Sequence, residues 1–487
     1  MTPECCLGPT AGRVSHRVMR STGCSCAIAA VVVVMTMTMT TACAPSSVRR
    51  EIIHEVLTRD NRDLALRDPR EVAARFERMA ADPMSFFRGS VTLWAQDTMT
   101  PGGTGAIATA FANDVAGGAL LIGDPHPENF GTTVTSDGLQ FGINDFDVAR
   151  FGPVVLDVRR LALGFAVAAQ QITASQDITP NLVGGVVDGY SDAMSTPLQN
   201  ILDPTSVPSA LDPGTVVLDL FGRAHRRGAD HREFDDVTTV GADGRRHLVI
   251  TDVAPDDLQA EVLLPLSRSE HATVDDAVRR AGFAPREMAR IVGRGVGSRP
   301  LLRWLLLLDD DRLIQLKEAR DTFAVPGFVA EHERFFRTNA ERVVFARQTM
   351  LGHDGADEAL RTVDLEPLGA FATSETGFGQ TMRVARLTED YADGSVDNDD
   401  LVAFARVAGR ALAVAHRRGV SVDGDVVSDR LPRALDLVSS ARQAALRDET
   451  LAVVAASVDD ALGDHLILHD LIDSWGPLLG LDTVAAP

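Results

Sequence analysis

Two short apolar runs, each ending in an acidic loop, constrain this chain more than any other feature. Ala119–Ile122 leads into Gly123-Asp124-Pro125-His126-Pro127-Glu128-Asn129, and Leu139–Ile143 leads into Asn144-Asp145-Phe146-Asp147. Apolar runs of this length bounded by Gly, Pro, Asn and Asp read as strands that stop at turns. Four residues separate Asp124 from Asn129, and Asp145 follows Asn129 by sixteen. Loops on a rigid scaffold are where binding and catalytic side chains gather. Oxygen donors such as these suit Mg²⁺, which takes carboxylates and carbonyls rather than sulfur. The same residue types also form plain Asx turns with no chemistry attached. It is the recurrence of the pattern after two strands that points to a site.

Asp-x-x-x-x-Asn is the spacing of a kinase catalytic loop, where the Asp takes the proton of the substrate hydroxyl and the Asn holds Mg²⁺. Asp145, at the end of the next strand, is placed as the second metal-binding Asp. Gly293-Arg294-Gly295-Val296-Gly297-Ser298 lies between two strands, where a Gly-rich hairpin can turn backbone N–H groups toward phosphates; by itself it also reads as an ordinary turn. The following strand holds Lys317, the only lysine in a chain with 47 basic side chains. Lysine differs most from arginine where a compact point charge must fit between phosphates and a carboxylate. Glu341 is the expected carboxylate, with Glu331 and Glu333 as rivals. Gly123-Asp124-x-His126 resembles the first block of dinuclear metallophosphoesterases as well. The Gly-Asn-His of their later block occurs nowhere in the chain, which leaves His126 as a loop-ordering residue.

The 487 residues exceed what one compact core usually holds. Helical spacing of Val72, Phe76 and Met79 predicts a helix over 70–81, closed by Asp82-Pro83. Asp157 is expected to cap the helix that begins with Val158. Pro204, Pro208 and Pro213 mark a linker, and residues 237–250 a hairpin. Strands are expected at 290–293, 301–308, 313–319 and 382–387, and helices at 340–350 and 401–418. The expected class is α+β, a mostly helical lobe with a small antiparallel β lobe. The expected division is 48–285 helical with the acidic loops, 286–395 β-rich, and 396–487 helical.

A net charge of −21 argues against a nucleic-acid binder that works by neutralising phosphates. Arg13, Arg17 and Arg20 precede an apolar run at 26–35, and small residues precede Cys43, the order of an export signal over residues 1–42. Cys43 is then a lipid-attachment residue, and the chain is expected outside the cytoplasm, tethered to a membrane by a lipid or signal anchor. All five cysteines lie at or before position 43, leaving no disulfide or thiolate site beyond it.

The segments DPMSFFRG (82–89), GDPHPENFG (123–131), INDFDVARFGPVVLDVRRLA (143–162), VGRGVGS (292–298), LKEA (316–319), ERVV (341–344) and AGRALAVAHRR (408–418) together resemble the bacterial domain-of-unknown-function family twenty-two fifty-two. That family looks similar to the protein-kinase-like superfamily of aminoglycoside and choline kinases. The resemblance implies a two-lobed, circularly permuted kinase-like fold, because the acidic loops come before the Gly-rich loop and Lys317. It implies Asp124 as catalytic base, and Asn129 and Asp145 as Mg²⁺ ligands with Asp147 assisting. Gly293, Gly295, Gly297 and Ser298 would cover the phosphates of ATP, Lys317 would contact them, and Glu341 would orient Lys317. Asp157 would hold the catalytic-loop backbone, while Arg88 receives no role. The expected activity is phosphoryl transfer from ATP with Mg²⁺ to an acceptor the sequence does not specify. An inactive, lipid-anchored binding or scaffold protein with the same cleft is the alternative.

Overall fold

A computed structural model describes residues 46–483, except 102, 104, 107–108, 112–118, 136–137, 175–177, 197–213, 232, 235–236, 253–259, 322, 352–356 and 420–441. The export segment, all five cysteines and the prolines at 204–213 lie outside the described residues. Among the described residues no helix is long and apolar enough to cross a membrane.

Four helices come first: α1 (Ser46–Arg67), α2 (Pro69–Ala81), α3 (Pro83–Gly89) and α4 (Val91–Met99). The breaks between them follow from capping. Asp68 accepts from the Glu71 amide with Pro69 at the first helical position, and Asp82 accepts from the Ser85 amide with Pro83 there. The next segment carries β1 (Ala119–Leu121), a hairpin of β2 (Phe130–Thr135) and β3 (Gly138–Ile143), and β4 (Arg150–Gly152), which pairs antiparallel with β1. Strand β2 has no counterpart among the expected elements, since FGTTVT carries little apolar signal.

Helix α5 (Val154–Ile172) runs through the centre of the largest apolar cluster and is buried almost all round. Its N-cap is Pro153, not Asp157. Helices α6 (Thr179–Ser195) and α7 (Gly214–Ala229) follow, and then the hairpin β5 (Thr238–Val240) and β6 (Arg246–Leu248).

The largest sheet among the described residues has six antiparallel strands in the order β11-β12-β10-β9-β8-β7. Its strands are β7 (Val262–Leu264), β8 (Pro285–Val292), β9 (Arg303–Leu308), β10 (Leu313–Glu318), β11 (Arg361–Leu365) and β12 (Leu368–Glu375). The sheet thus begins ahead of 286 and ends before 395. Helix α8 (Arg268–Arg280) lies on it, packing Val274, Ala277 and Val278 against Trp304, Ile314 and Leu316. Helices α9 (Val329–Phe335) and α10 (Asn339–Leu351) interrupt the sheet between β10 and β11.

Residues 382–387 are not a strand. Val384–Ala392 forms helix α11, burying Val384 and Leu387 at helical spacing, and the Glu128 carboxylate accepts from the Val384 amide at 2.6 Å. Helix α12 (Asn398–Arg418) opens with a full capping box on Asp397 and Asp400. It packs on α6 at backbone contact distance. A Cβ on Gly189 would sit 1.9 Å from the Arg406 carbonyl oxygen, and one on Gly409 2.1 Å from that of Val186. Helix α13 (Gln443–Trp475), about 50 Å long at 1.5 Å per residue, packs against α2, α5 and α6.

Candidate active site

The acidic loops, the Gly-rich loop and Lys317 line one cavity of about 410 Å³. It receives Asp124, Asn129, Asp145, Asp147, Gly295, Gly297, Ser298 and Lys317 from elements scattered over almost two hundred residues of sequence. Gly293 stands just behind its loop, its positive φ and the Ala260 carbonyl beside its missing Cβ leaving room only for glycine.

Register explains the cationic end. In the β9–β10 hairpin Lys317 pairs with Arg303, and on its other side with Phe371 of β12. Directly opposed residues share a sheet face, so Lys317 and Arg303 enter the cavity together, both buried. Lys317 forms an ion pair with Asp147. The Arg303 guanidinium donates to the Ser298 hydroxyl and stands near Asp145 and Asp147. Asp145 accepts from the Asp147 amide at 3.0 Å, forming an Asx turn. Burial alone would raise the Asp145 carboxyl, but Lys317, the Asp147 amide and Arg303 outweigh it and hold the pKa below the ordinary value. Asp145 therefore stays ionised, and it titrates as one system with Asp147.

Glu341 is elsewhere. It accepts from the Arg337 and Thr338 amides at the start of α10 and pairs with the Arg337 side chain at 2.9 Å. This corrects the expectation that Glu341 orients Lys317: Asp147 is the lysine's partner, and Glu341 is spent on the helix N-terminus. The neighbouring Arg342 turns inward instead. Fully buried, it donates to the carbonyl oxygens of Asp147, Ala149 and Arg320, at 2.7, 2.8 and 3.0 Å, and so fixes the loop that carries Asp145 and Asp147.

The Asp124 loop is held from beneath. Asp157, in the first turn of α5 and fully buried, accepts from the Ile122 amide at 2.7 Å and the Gly123 amide at 3.1 Å. His416 of α12 completes the set with Nε2 3.0 Å from Asp157, while Tyr190 Oη lies 2.8 Å from His416 Nδ1. Asn129 donates its side-chain NH₂ to the Asp124 carbonyl at 2.7 Å, which leaves its Oδ1, an acceptor able to ligate a cation, without a bond to any described residue. Asp124 itself is gripped by Arg160 at 2.8 Å, whose guanidinium lies over the Phe87 ring and also donates to the Phe87 carbonyl. Burial pushes Asp124 up to about 6 despite that cation. His126, packed 3.9 Å from Asp124, is driven well below its ordinary pKa by burial and by Arg88 and Arg160, so its imidazole is neutral. Arg88 pairs with Glu128, the carboxylate that caps α11.

Ionised Asp145 and the Asn129 amide oxygen match the donor chemistry of Mg²⁺, which commonly takes one or two protein carboxylates and completes its shell with phosphates and water. Among the described residues no group of three or more His, Cys, Asp or Glu is arranged to hold a metal by itself.

Helices α1 and α2 cover the Gly-rich loop. Glu71 accepts from the Gly293 amide at 3.3 Å and pairs with Arg299 at 3.5 Å, and Val296 is buried among Ile53, Leu64 and Phe76. Arg67 grips Glu318 of β10 with two bonds, at 3.0 and 2.7 Å.

Arg303, Arg160, Arg342 and His416 escaped the sequence reading. Arg303 was recoverable, since a hairpin centred on Asp310 sets it opposite Lys317. Asp157, Arg159 and Arg160 inside an otherwise apolar helix were a signal of buried charge. Nothing local marked Arg342 or His416.

The family model described as an uncharacterized protein conserved in bacteria (DUF2252) matches residues 67–470. No curated protein and no solved structure matches the chain.

Proposed function

We propose that this chain, which belongs to the bacterial family DUF2252, is a Mg²⁺-dependent phosphotransferase with a permuted kinase-like fold that uses ATP as donor. The observation that carries the reading is the meeting of Lys317, Asp145 and Asp147 with Asp124 and Asn129 in one cavity under a Gly-rich loop. In this reading Lys317 and Arg303 neutralise donor phosphates, and Ser298 and the glycines lie over them. Asp145 and Asn129 hold Mg²⁺, which supplies charge neutralisation at the phosphates. Asp124 takes the proton of the acceptor hydroxyl as that oxygen bonds to the γ-phosphorus and the bond to ADP breaks. A carboxyl with a pKa of about 6 is ionised at neutral pH and close enough to it to serve as a base. We further propose export and attachment through Cys43.

The test is thermal unfolding with and without Mg²⁺-ATP, wild type beside Asp145→Ala. A ligand at about 100 times its dissociation constant adds about 2.7 kcal/mol of stability. A Mg²⁺-dependent shift lost in Asp145→Ala supports the reading, and no shift with any nucleotide in the wild type removes it.

A further inference from the structure

We propose that the cavity contains a second, oxyanion-binding subsite built by Arg75 of α2 and Arg320, which follows β10, and that the acceptor is a small molecule bearing a phosphate or carboxylate group. This deepens the phosphotransferase reading and rests on it for the word acceptor; the anion subsite rests on the geometry alone.

The cavity lining holds eight cationic side chains against six carboxylates, in a chain whose net charge is −21. Local charge thus opposes global charge, which focuses anions into the cleft. Most of those cations already have work: Lys317 pairs with Asp147, Arg88 with Glu128, and Arg294 with Glu261 and Glu375. Arg75 and Arg320 do not. Neither forms an ion pair with any described residue, although both line the cavity. Arg75 donates one bond, to the Gly89 carbonyl at 2.8 Å, while its Nε is shut off from solvent without a partner. Arg320 contributes only its backbone carbonyl, as an acceptor for Arg342.

The two arginines also feel each other. Burial lowers the Arg75 pKa to about 10, Asp60 opposes that, and Arg320 adds to it. Asp60 also lines the cavity and divides its charge between Arg75 and Arg59, with which it pairs at 3.4 Å. Two guanidinium groups that line one cavity, neither in an ion pair with a described residue, suit a ligand that brings negative charge of its own. Phosphate and carboxylate both accept bidentately from such forks. Arg320 lies three residues beyond Lys317, roughly 10 Å along extended chain. Both residues line the cavity.

The experiment uses the full chain at constant ionic strength, titrated with inorganic phosphate and with succinate. Titrations are run alone and with Mg²⁺ and a non-hydrolysable ATP analogue present. Wild type is compared with Arg75→Gln and Arg320→Gln. The subsite predicts that at least one anion binds the wild type and is weakened tenfold or more by either substitution, while analogue affinity stays within twofold. The anion that binds more tightly identifies the acceptor's charged group. Equal anion affinity in all three proteins overturns the proposal. So does a parallel loss of analogue affinity, which would assign both arginines to the nucleotide. Arginine-dependent anion binding in a wild type that takes no nucleotide removes the phosphotransferase reading and leaves the anion subsite standing. If Arg75→Gln does not fold, Arg320→Gln decides alone, because its side chain bonds to no described residue.

Discussion

Replacing Asp157 by alanine removes an acceptor on which two elements depend. The fully buried carboxylate takes three bonds, from the Ile122 and Gly123 amides and from His416, at 2.7, 3.1 and 3.0 Å. Hydrogen bonds to a charged group contribute about 1.5–3 kcal/mol each, and a buried donor left unpaired costs about 1–3 kcal/mol. Cavity relaxation and water entry recover part of this, so Asp157→Ala is expected to cost roughly 4–6 kcal/mol. That is a large share of the roughly 5–15 kcal/mol that holds a typical domain folded. Asp157→Asn keeps one oxygen but turns an NH₂ toward the donors, and is expected to cost roughly 2–4 kcal/mol. Urea unfolding at neutral pH, with the slope checked for two-state behaviour, measures both. His416→Ala in the Asp157→Asn background should show a coupling of about 0.5–3 kcal/mol, because the residues share a bond. A cost below about 1 kcal/mol for Asp157→Ala, with unchanged slope, would refute the claim that this carboxylate holds the Asp124 loop in place.

Asp124 makes stability fall with rising pH across a defined window. Its folded pKa of about 6 exceeds the ordinary 3.8, so between these values the folded state binds more protons and loses up to about 3 kcal/mol as pH rises. Asp124→Asn should flatten that segment of the stability–pH curve, and an unchanged slope would contradict the assignment. Lys317→Met strands Asp145 and Asp147 in a buried site; a loss of roughly 3–5 kcal/mol at pH 7 is expected, shrinking toward pH 4 as the carboxyls protonate. Glu341→Gln should cost less than about 1 kcal/mol and leave nucleotide affinity unchanged, since its Arg337 partner is on the surface. A large loss of affinity there would restore Glu341 as the partner of Lys317. Gly409→Ala should lower the thermal midpoint sharply, because the Val186 carbonyl occupies the space of the new methyl.

What the sequence made legible was local. Strand-end loops, capping residues and hairpin turns depend on neighbours within a few positions, which is why the loops that carry Asp124, Asn129 and Asp145 and the helix at 70–81 could be read directly. Residues 382–387 misled because Met382 and Val384 fit alternation, and only Leu387, three residues beyond Val384, breaks it in favour of a helical face. The deciding contact, the Glu128 carboxylate on the Val384 amide, comes from 256 residues away. Glu341 misled for a similar reason. Glu at the start of a helix has two uses, and only the distance to Lys317 distinguishes them. The buried network of Asp157, His416 and Tyr190 joins three helices that no short pattern connects.

The cover that α1 and α2 place over the Gly-rich loop has a kinetic consequence. Arg67 on Glu318, Glu71 on the Gly293 amide and Val296 in its apolar cluster tie the loop and the end of β10 to the two helices. Of these residues only Val296 also lines the cavity. Opening of the Gly-rich loop is therefore expected to be coupled to the fraying of α1 and α2, which hydrogen exchange at the Gly293 amide would report.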